Sequence, residues 1–147
     1  MIILDERFMQ DSLEEAVKGL SEGGIPIGSV LVKDGKIIGR GHNQRVQKND
    51  PMAHAEIECL RNAGRIGSYK DTVLYSTLMP CYLCAGAVVQ FGIKKVVVGE
   101  SRTFEGAEKF MSEHGVEVVV LGSEECYSIL QGFISRNPQI WYEDIRK

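Results

Sequence analysis

Residues 72–100 read TVLYSTLMPCYLCAGAVVQFGIKKVVVGE, and the order of residue types in this stretch decides the fold. TVLYSTL is rich in β-branched and aromatic residues, the composition of a strand. Pro80 then opens a short helix, CYLCAGAVVQF, which Gly92 closes, since proline suits the first helical position and glycine the position just past the end. KKVVVGE returns to a near-continuous apolar run, the pattern of a strand buried on both faces. Strand, helix and strand in this order predict a parallel pair joined by a helical crossover.

Downstream the pattern repeats. A helical stretch from Glu105 to His114 leads to the apolar run VEVVVL, and Ser123 caps a final helix through about Arg136, before the tail NPQIWYEDIRK. Upstream, Asp5 is placed to cap a helix through about Glu22. Phe8, Met9, Leu13, Ala16, Val17 and Leu20 share one apolar face of it, and Gly23 and Gly24 end it. IGSVLVKDGKIIGRGH reads as two strands joined at Asp34-Gly35, a strong hairpin signal. Residues 43–50 are polar and loop-like, and Asp50-Pro51 predicts a cap and first turn for a helix, MAHAEIECLRNA, that Gly64 terminates. The expected fold is α/β: a three-layer α/β/α sandwich around one mixed five-stranded sheet with helices on both faces.

The 147 residues suffice for one domain, 1–147, with a full core. Apolar residues make up 44% and charged residues 25%, the balance of a soluble globular protein. No apolar run reaches the roughly 18 residues of a membrane helix, and no secretory pattern is visible in MIILDERFMQ, so a cytoplasmic location is expected. With 17 basic and 20 acidic residues scattered along the chain, the net charge of −3 favours a small-molecule partner over long nucleic acid. Four cysteines in a reducing compartment point away from disulfides and towards metal binding or catalysis.

Cys81 and Cys84 stand in the first turn of a predicted helix, where free N–H groups and the positive dipole end favour thiolates. A Cys-x-x-Cys pair alone serves redox chemistry or a metal equally well. The stretch HAE, residues 54–56, separates the two, because it opens another predicted helix with an imidazole and a carboxylate. A catalytic zinc takes three protein ligands and leaves the fourth position to water. His54, Cys81 and Cys84 make that set, and Glu56, two residues from His54, is placed to accept the proton of a bound water. The joint pattern of His-x-Glu with Pro-Cys-x-x-Cys is that of zinc deaminases acting on nucleobases. Cys59 and Cys126 lie in amphipathic helices without ligand spacing and read as core, while His42 and His114 have no evident partner.

HAE and PCYLC, preceded by PIG at residues 26–28, resemble the cytidine deaminase-like superfamily. The likeness to small fungal-type cytosine deaminases runs almost end to end, through EGGIPIG, GRGHNQRVQK, YKDTVLYSTL, VVVGES, VEVVVL and NPQIWYEDI. It implies a homodimeric enzyme with one Zn²⁺ per subunit, converting cytosine to uracil and ammonia by zinc-activated hydroxide with Glu56 as proton shuttle. It further implies that Asn43 and the backbone N–H of Ala55 bond the base carbonyl and that Ile27, Leu78 and Phe104 wall the ring. Trp141 would stack over the ring from a closing lid, and Asp144 would accept from a ring N–H.

Two positions depart from the family. Met79 stands where relatives carry a small polar or acidic residue, and Ala55 where fungal relatives tend to carry glycine. Met79 acts either through its backbone carbonyl, facing the substrate amino group, or by narrowing the pocket and changing the preferred base. Isocytosine and guanine are therefore alternative substrates. The HAE and PCYLCAGA wording also resembles tRNA adenosine deaminases, against which stand the acidic balance and the tail WYEDIRK. A purely structural zinc would need a fourth ligand, Cys59 or a histidine.

Overall fold

The computed structural model describes residues 4–145. Its elements run α1 (Leu4–Ser21), β1 (Gly28–Lys33), β2 (Lys36–His42), α2 (Arg45–Lys48), α3 (Ala55–Ala63), β3 (Thr72–Leu78), α4 (Tyr82–Phe91), β4 (Lys95–Glu100), α5 (Glu108–Glu113), β5 (Glu117–Val120), α6 (Glu124–Arg136) and α7 (Pro138–Asp144). The five strands form one mixed sheet in the order β2-β1-β3-β4-β5. β1 is antiparallel to β2 and β3, while β3, β4 and β5 are parallel, as the strand-helix-strand pattern requires. Asp34 and Gly35 both take positive φ, 53° and 73°, which is the two-residue hairpin turn whose twist matches the strands.

Alternation along the strands divides the interior into two layers. Val30, Val32, Tyr75 and Val97 meet Phe8, Met9, Leu13 and Ala16 of α1 on one face. Leu31, Leu74, Val96 and Val98, their neighbours in sequence, meet Cys59, Leu60, Ala85 and Val88 of α3 and α4 on the other. Each fully buried aliphatic side chain contributes about 1.5–3 kcal/mol, so a one-residue slip in register would expose a whole layer. α1 approaches β1 so closely that a Cβ on Gly28 would lie 2.0 Å from the Ser12 carbonyl oxygen. Gly28 also donates its N–H to Thr77 Oγ1 at 3.1 Å, locking the start of β1 to the end of β3.

Several sequence expectations shift. Val17 is 51% exposed and lies off the buried face of α1. The 43–50 stretch contains the short helix α2. α3 begins at Ala55 and not after Pro51, because the Asp50 carboxylate accepts the Met52 N–H at 2.9 Å and folds 50–53 into a turn. α4 begins at Tyr82, so Pro80 precedes the helix without entering it. α5 is shorter than 105–114, since Gly106 takes a φ of 60° against Pro80 and Met79. β5 is an edge strand whose valines are half-buried or exposed, not buried on both faces. Ser123 caps α6 as expected, accepting the Cys126 N–H at 3.2 Å. The tail forms a helix, α7, with Pro138 in its first turn, and its last two residues lie outside the described range.

His42, left without a partner by the sequence, is buried between one carboxylate of α1 and another in the turn just after it. Its Nδ1 is 2.9 Å from Glu15 Oε1 and its Nε2 is 2.8 Å from Glu22 Oε1. Burial pushes the Glu15 carboxyl up, but hydrogen bonds from His42 and Arg40 outweigh it and hold the group below its ordinary 4.5. Hydrogen bonds from His42 and then Gln47 hold Glu22 below 4.5 as well. A depressed carboxyl adds stability that is complete above the unfolded value and is lost as pH falls through the folded one. Chemical denaturation between about pH 6 and about pH 3 should therefore show stability falling more steeply in the wild type than in Glu15→Gln. Equal slopes would show that the cluster does not contribute.

Candidate active site

α3 and α4 start at the end of the sheet where β2 and β3 finish, and each has an unusual residue at its N-cap. N-cap positions favour Ser, Thr, Asp and Asn because their side chains satisfy the free N–H groups of the first turn. Here the caps are His54 and Cys81, in extended conformation, and neither side chain caps its helix. They face each other. His54 Nδ1 lies 3.5 Å from Cys81 Sγ and 3.6 Å from Cys84 Sγ, one turn into α4. The three donor atoms fall within 4.8 Å of one another. A tetrahedral zinc, with bonds of about 2.3 Å to sulfur and about 2.0–2.1 Å to nitrogen, places N and S about 3.6 Å apart. The donor set thus fits zinc in kind and in spacing, and a fourth position stays open.

Before a metal binds, the electrostatics favour the ligand form at Cys81 alone, since hydrogen bonding to Cys81 and then burial hold the Cys84 thiol well above its ordinary value. Hydrogen bonding to Cys84, then to His54, draws the Cys81 thiol down to about 4 against the opposing effect of burial. Burial pushes the His54 imidazole down, but Asp144 and Cys81 hold it up to about 10. Asp144 Oδ1 sits 3.3 Å from His54 Nε2, so the ring is held at both nitrogens, the arrangement that orients a metal-binding imidazole. Burial raises Glu56, first residue but one of α3, to about 7, with the Cys81 charge adding and His54 opposing.

Beside these groups is a small cavity of about 20 Å³, partly open to solvent. Ile27, Asn43, Leu78, Met79, Phe104, Trp141 and Asp144 line it together with His54, Glu56 and Cys81, so almost every residue expected at the site from the sequence is brought there. Ala55 packs against Ile27 and Leu78, and its N–H opens α3, where no helical carbonyl is available to accept it. Asn43 Oδ1 accepts the Arg45 N–H at 3.1 Å, which leaves its amide N–H₂ for the pocket. Met79 is buried and donates its N–H to the Glu100 carbonyl at 3.1 Å, fixing its own backbone at the pocket rim. Phe104 meets Trp141 edge to face, with ring centroids 6.3 Å apart. Glu100 Oε2 accepts the Thr103 N–H at 3.0 Å and anchors the loop that carries Phe104.

Three residues escaped the sequence reading. Ile145 lines the pocket, Glu100 holds the Phe104 loop, and Arg45, 7% exposed at its side chain, lies against Asp144. Only proximity to Asn43 and to WYED marked two of them in the sequence. Cys59 and Cys126 are buried in the core as expected, and His114 bonds the Phe110 carbonyl of its own helix.

Residues 3–100 match the cytidine and deoxycytidylate deaminase zinc-binding region. A cytosine deaminase of Candida albicans is 46% identical over 144 residues, 96% of each chain. A tRNA-specific adenosine deaminase of Streptococcus pyogenes serotype M18 is 40% identical over 138 residues, 86% of this chain and 87% of that one. Among solved structures, one from studies of A-to-I editing by tRNA:A34 deaminases superposes with a TM-score of 0.76 at 33% identity, covering 85% of this chain and 99% of that one. Guanine deaminase from Bacillus subtilis gives a TM-score of 0.62 at 35% identity, covering 76% of this chain and 70% of that one.

The donor geometry predicts that the purified chain carries about one zinc and that Cys81→Ser or His54→Ala loses it, with a lower melting temperature. Cobalt(II) in its place should show thiolate-to-metal charge-transfer absorption that Cys84→Ser weakens. Full zinc content in either single variant would exclude this donor set.

Proposed function

The chain belongs to the cytidine and deoxycytidylate deaminase zinc-binding family, and from that premise we propose that it hydrolyses the amino group of a free pyrimidine base, cytosine first, giving uracil and ammonia. The observation that carries the choice of a free base is the cover over the pocket. α7 lies across it with Trp141 only 4% exposed and Asp144 drawn down onto His54. The space beneath it is small, about 20 Å³, which favours a free base over a nucleotide within a polynucleotide. Two carboxylates, Glu143 and Asp144, at the end of that cover also repel a polynucleotide backbone.

His54, Cys81 and Cys84 would hold the zinc, which supplies Lewis-acid polarisation at its open position. Glu56, raised towards neutrality, exchanges protons near its working pH. It takes a proton from the attacking water, passes it to the ring nitrogen next to the amino-bearing carbon, and delivers the second proton to the departing amino group. The Asn43 amide and the Ala55 N–H donate to the base carbonyl. Asp144 accepts from a ring N–H, while Ile27 and Leu78 on one side and Phe104 and Trp141 on the other hold the ring flat. The Met79 carbonyl faces the amino group, and its long side chain takes up pocket volume that a smaller residue would leave free.

Isocytosine fits the same roles after the ring is turned, since its hydrolysis also gives uracil. The chain is proposed to act in the cytoplasm as one deaminase domain paired with a second copy of itself. The pairing is supported by the apolar side chains left outside on and beside α3 and α4: Met52 is 50%, Tyr82 72% and Phe91 46% exposed.

Ammonia release across cytosine, isocytosine, guanine and adenosine in a tRNA anticodon loop tests the reading, with cytosine expected to be fastest. No turnover of any pyrimidine base would overturn it. Glu56→Gln should keep its zinc and its fold and lose at least about 10²-fold in kcat. Undiminished activity would remove Glu56 from the chemistry.

A further inference from the structure

α2 is only four residues long, yet one of them, Arg45, touches both sides of the pocket. Its backbone N–H bonds Asn43 Oδ1 at 3.1 Å, on the wall that would meet the base carbonyl. Its guanidinium reaches the cover: Nε lies 3.4 Å from Asp144 Oδ1 and Nη2 lies 3.5 Å from Glu143 Oε2. The side chain is 7% exposed, and neither Nε nor Nη1 has a hydrogen-bond partner. A guanidinium stays charged in any protein environment, and a buried one with unmet donors is costly. The nearest groups that can relieve that cost are the two carboxylates ending α7.

Asp144 shows how the pull acts. His54 Nε2 at 3.3 Å and Arg45 Nε at 3.4 Å approach the same oxygen, Oδ1. Both cationic side chains lie within ion-pair distance of that one oxygen, which leaves Oδ2 to accept from a ligand. Nothing else charged holds the end of α7: among the described residues, Glu143 and Asp144 have ion-pair partners only in Arg45 and His54.

We infer that Arg45 is a positioning residue that seats α7 over the pocket and sets Asp144 for the substrate, binding the cover and the Asn43 wall to the same short helix. The role of Asp144 towards the base rests on the function proposed above; the seating of α7 does not. The guanidinium stabilises the closed pocket and touches no reacting atom, so its loss weakens substrate capture more than turnover.

Trp141 is the only tryptophan in the chain and sits in α7, so its fluorescence reads the cover without any substrate. In the zinc-loaded protein without base, Arg45→Gln should raise acrylamide quenching of Trp141 about twofold or more and raise KM about tenfold, with kcat within about threefold. Arg45→Lys, which keeps the charge without the fork, should recover at least half of the KM change. A variant that merely misfolds loses active enzyme and so kcat, leaving KM as it was. If Arg45→Gln does not fold, Glu143→Gln/Asp144→Asn removes the pairing from the other side and should raise quenching to the same extent. Wild-type quenching in the variant that folds would overturn the proposal. Failure of every base to turn over would overturn the substrate reading alone.

Discussion

Two helix N-termini aimed at one point are the constraint on which the rest of the structure depends. His54 and Cys81 occupy N-cap positions, yet their side chains turn away from their own helices and meet 3.5 Å apart. The free N–H groups and dipole ends there favour thiolate and bound anion alike. Such an arrangement leaves first-turn donors without the usual side-chain caps, a cost the molecule bears because the same residues must face a metal. The sheet makes the meeting possible. Parallel pairing of β3 and β4 returns the chain through α4, and the antiparallel β1-β2 hairpin carries it to the loop before α3, so both helices start at the same end of the strands.

Around that point the site is built in tiers set successively farther from the buried sheet. The donors and Glu56 sit on helices backed by the buried sheet. Ile27 and Leu78, which line the pocket, lie just before β1 and at the end of β3, where Gly28 and Thr77 lock the two strands together. Phe104 stands on a loop held by Glu100, and Trp141 and Asp144 on a seven-residue helix held by packing and by ion pairs. Most residues of α7 are exposed or half-buried, and local opening is cheapest where burial is least. Membership of the deaminase family accounts for the first tier, while the relatives, which include cytosine, guanine and tRNA adenosine deaminases, differ in what they act on. Specificity therefore falls to the outer tiers.

Local signals read well in the sequence where one residue type has one physical use. Asp34-Gly35 adopted the positive φ values its hairpin needed, and Ser123 capped α6. Asp50-Pro51 misled, since a carboxylate that can cap a helix can equally bond the N–H two residues on. That shift moved the start of α3 to Ala55 and made His54 a cap residue. Val17 obeyed the helical period but is exposed, outside the set of Phe8, Met9, Leu13 and Ala16 that α1 buries against the sheet. β5 has the valines of a central strand and lies at the edge, a matter of pairing that composition does not encode.

The sequence by itself determined the α/β order of elements, the donor types His, Cys and Cys with a nearby Glu, and the apolar and aromatic residues that line the pocket. Those follow from period, capping and ligand chemistry, all of which act over a few residues. Only the tertiary structure decided that His42 bridges Glu15 and Glu22, that Asp144 reaches His54, and that Arg45 lies buried against the cover. Each of these pairs joins residues far apart in the chain, and a charged side chain looks the same in sequence whether folding leaves it in water or presses it against a carboxylate.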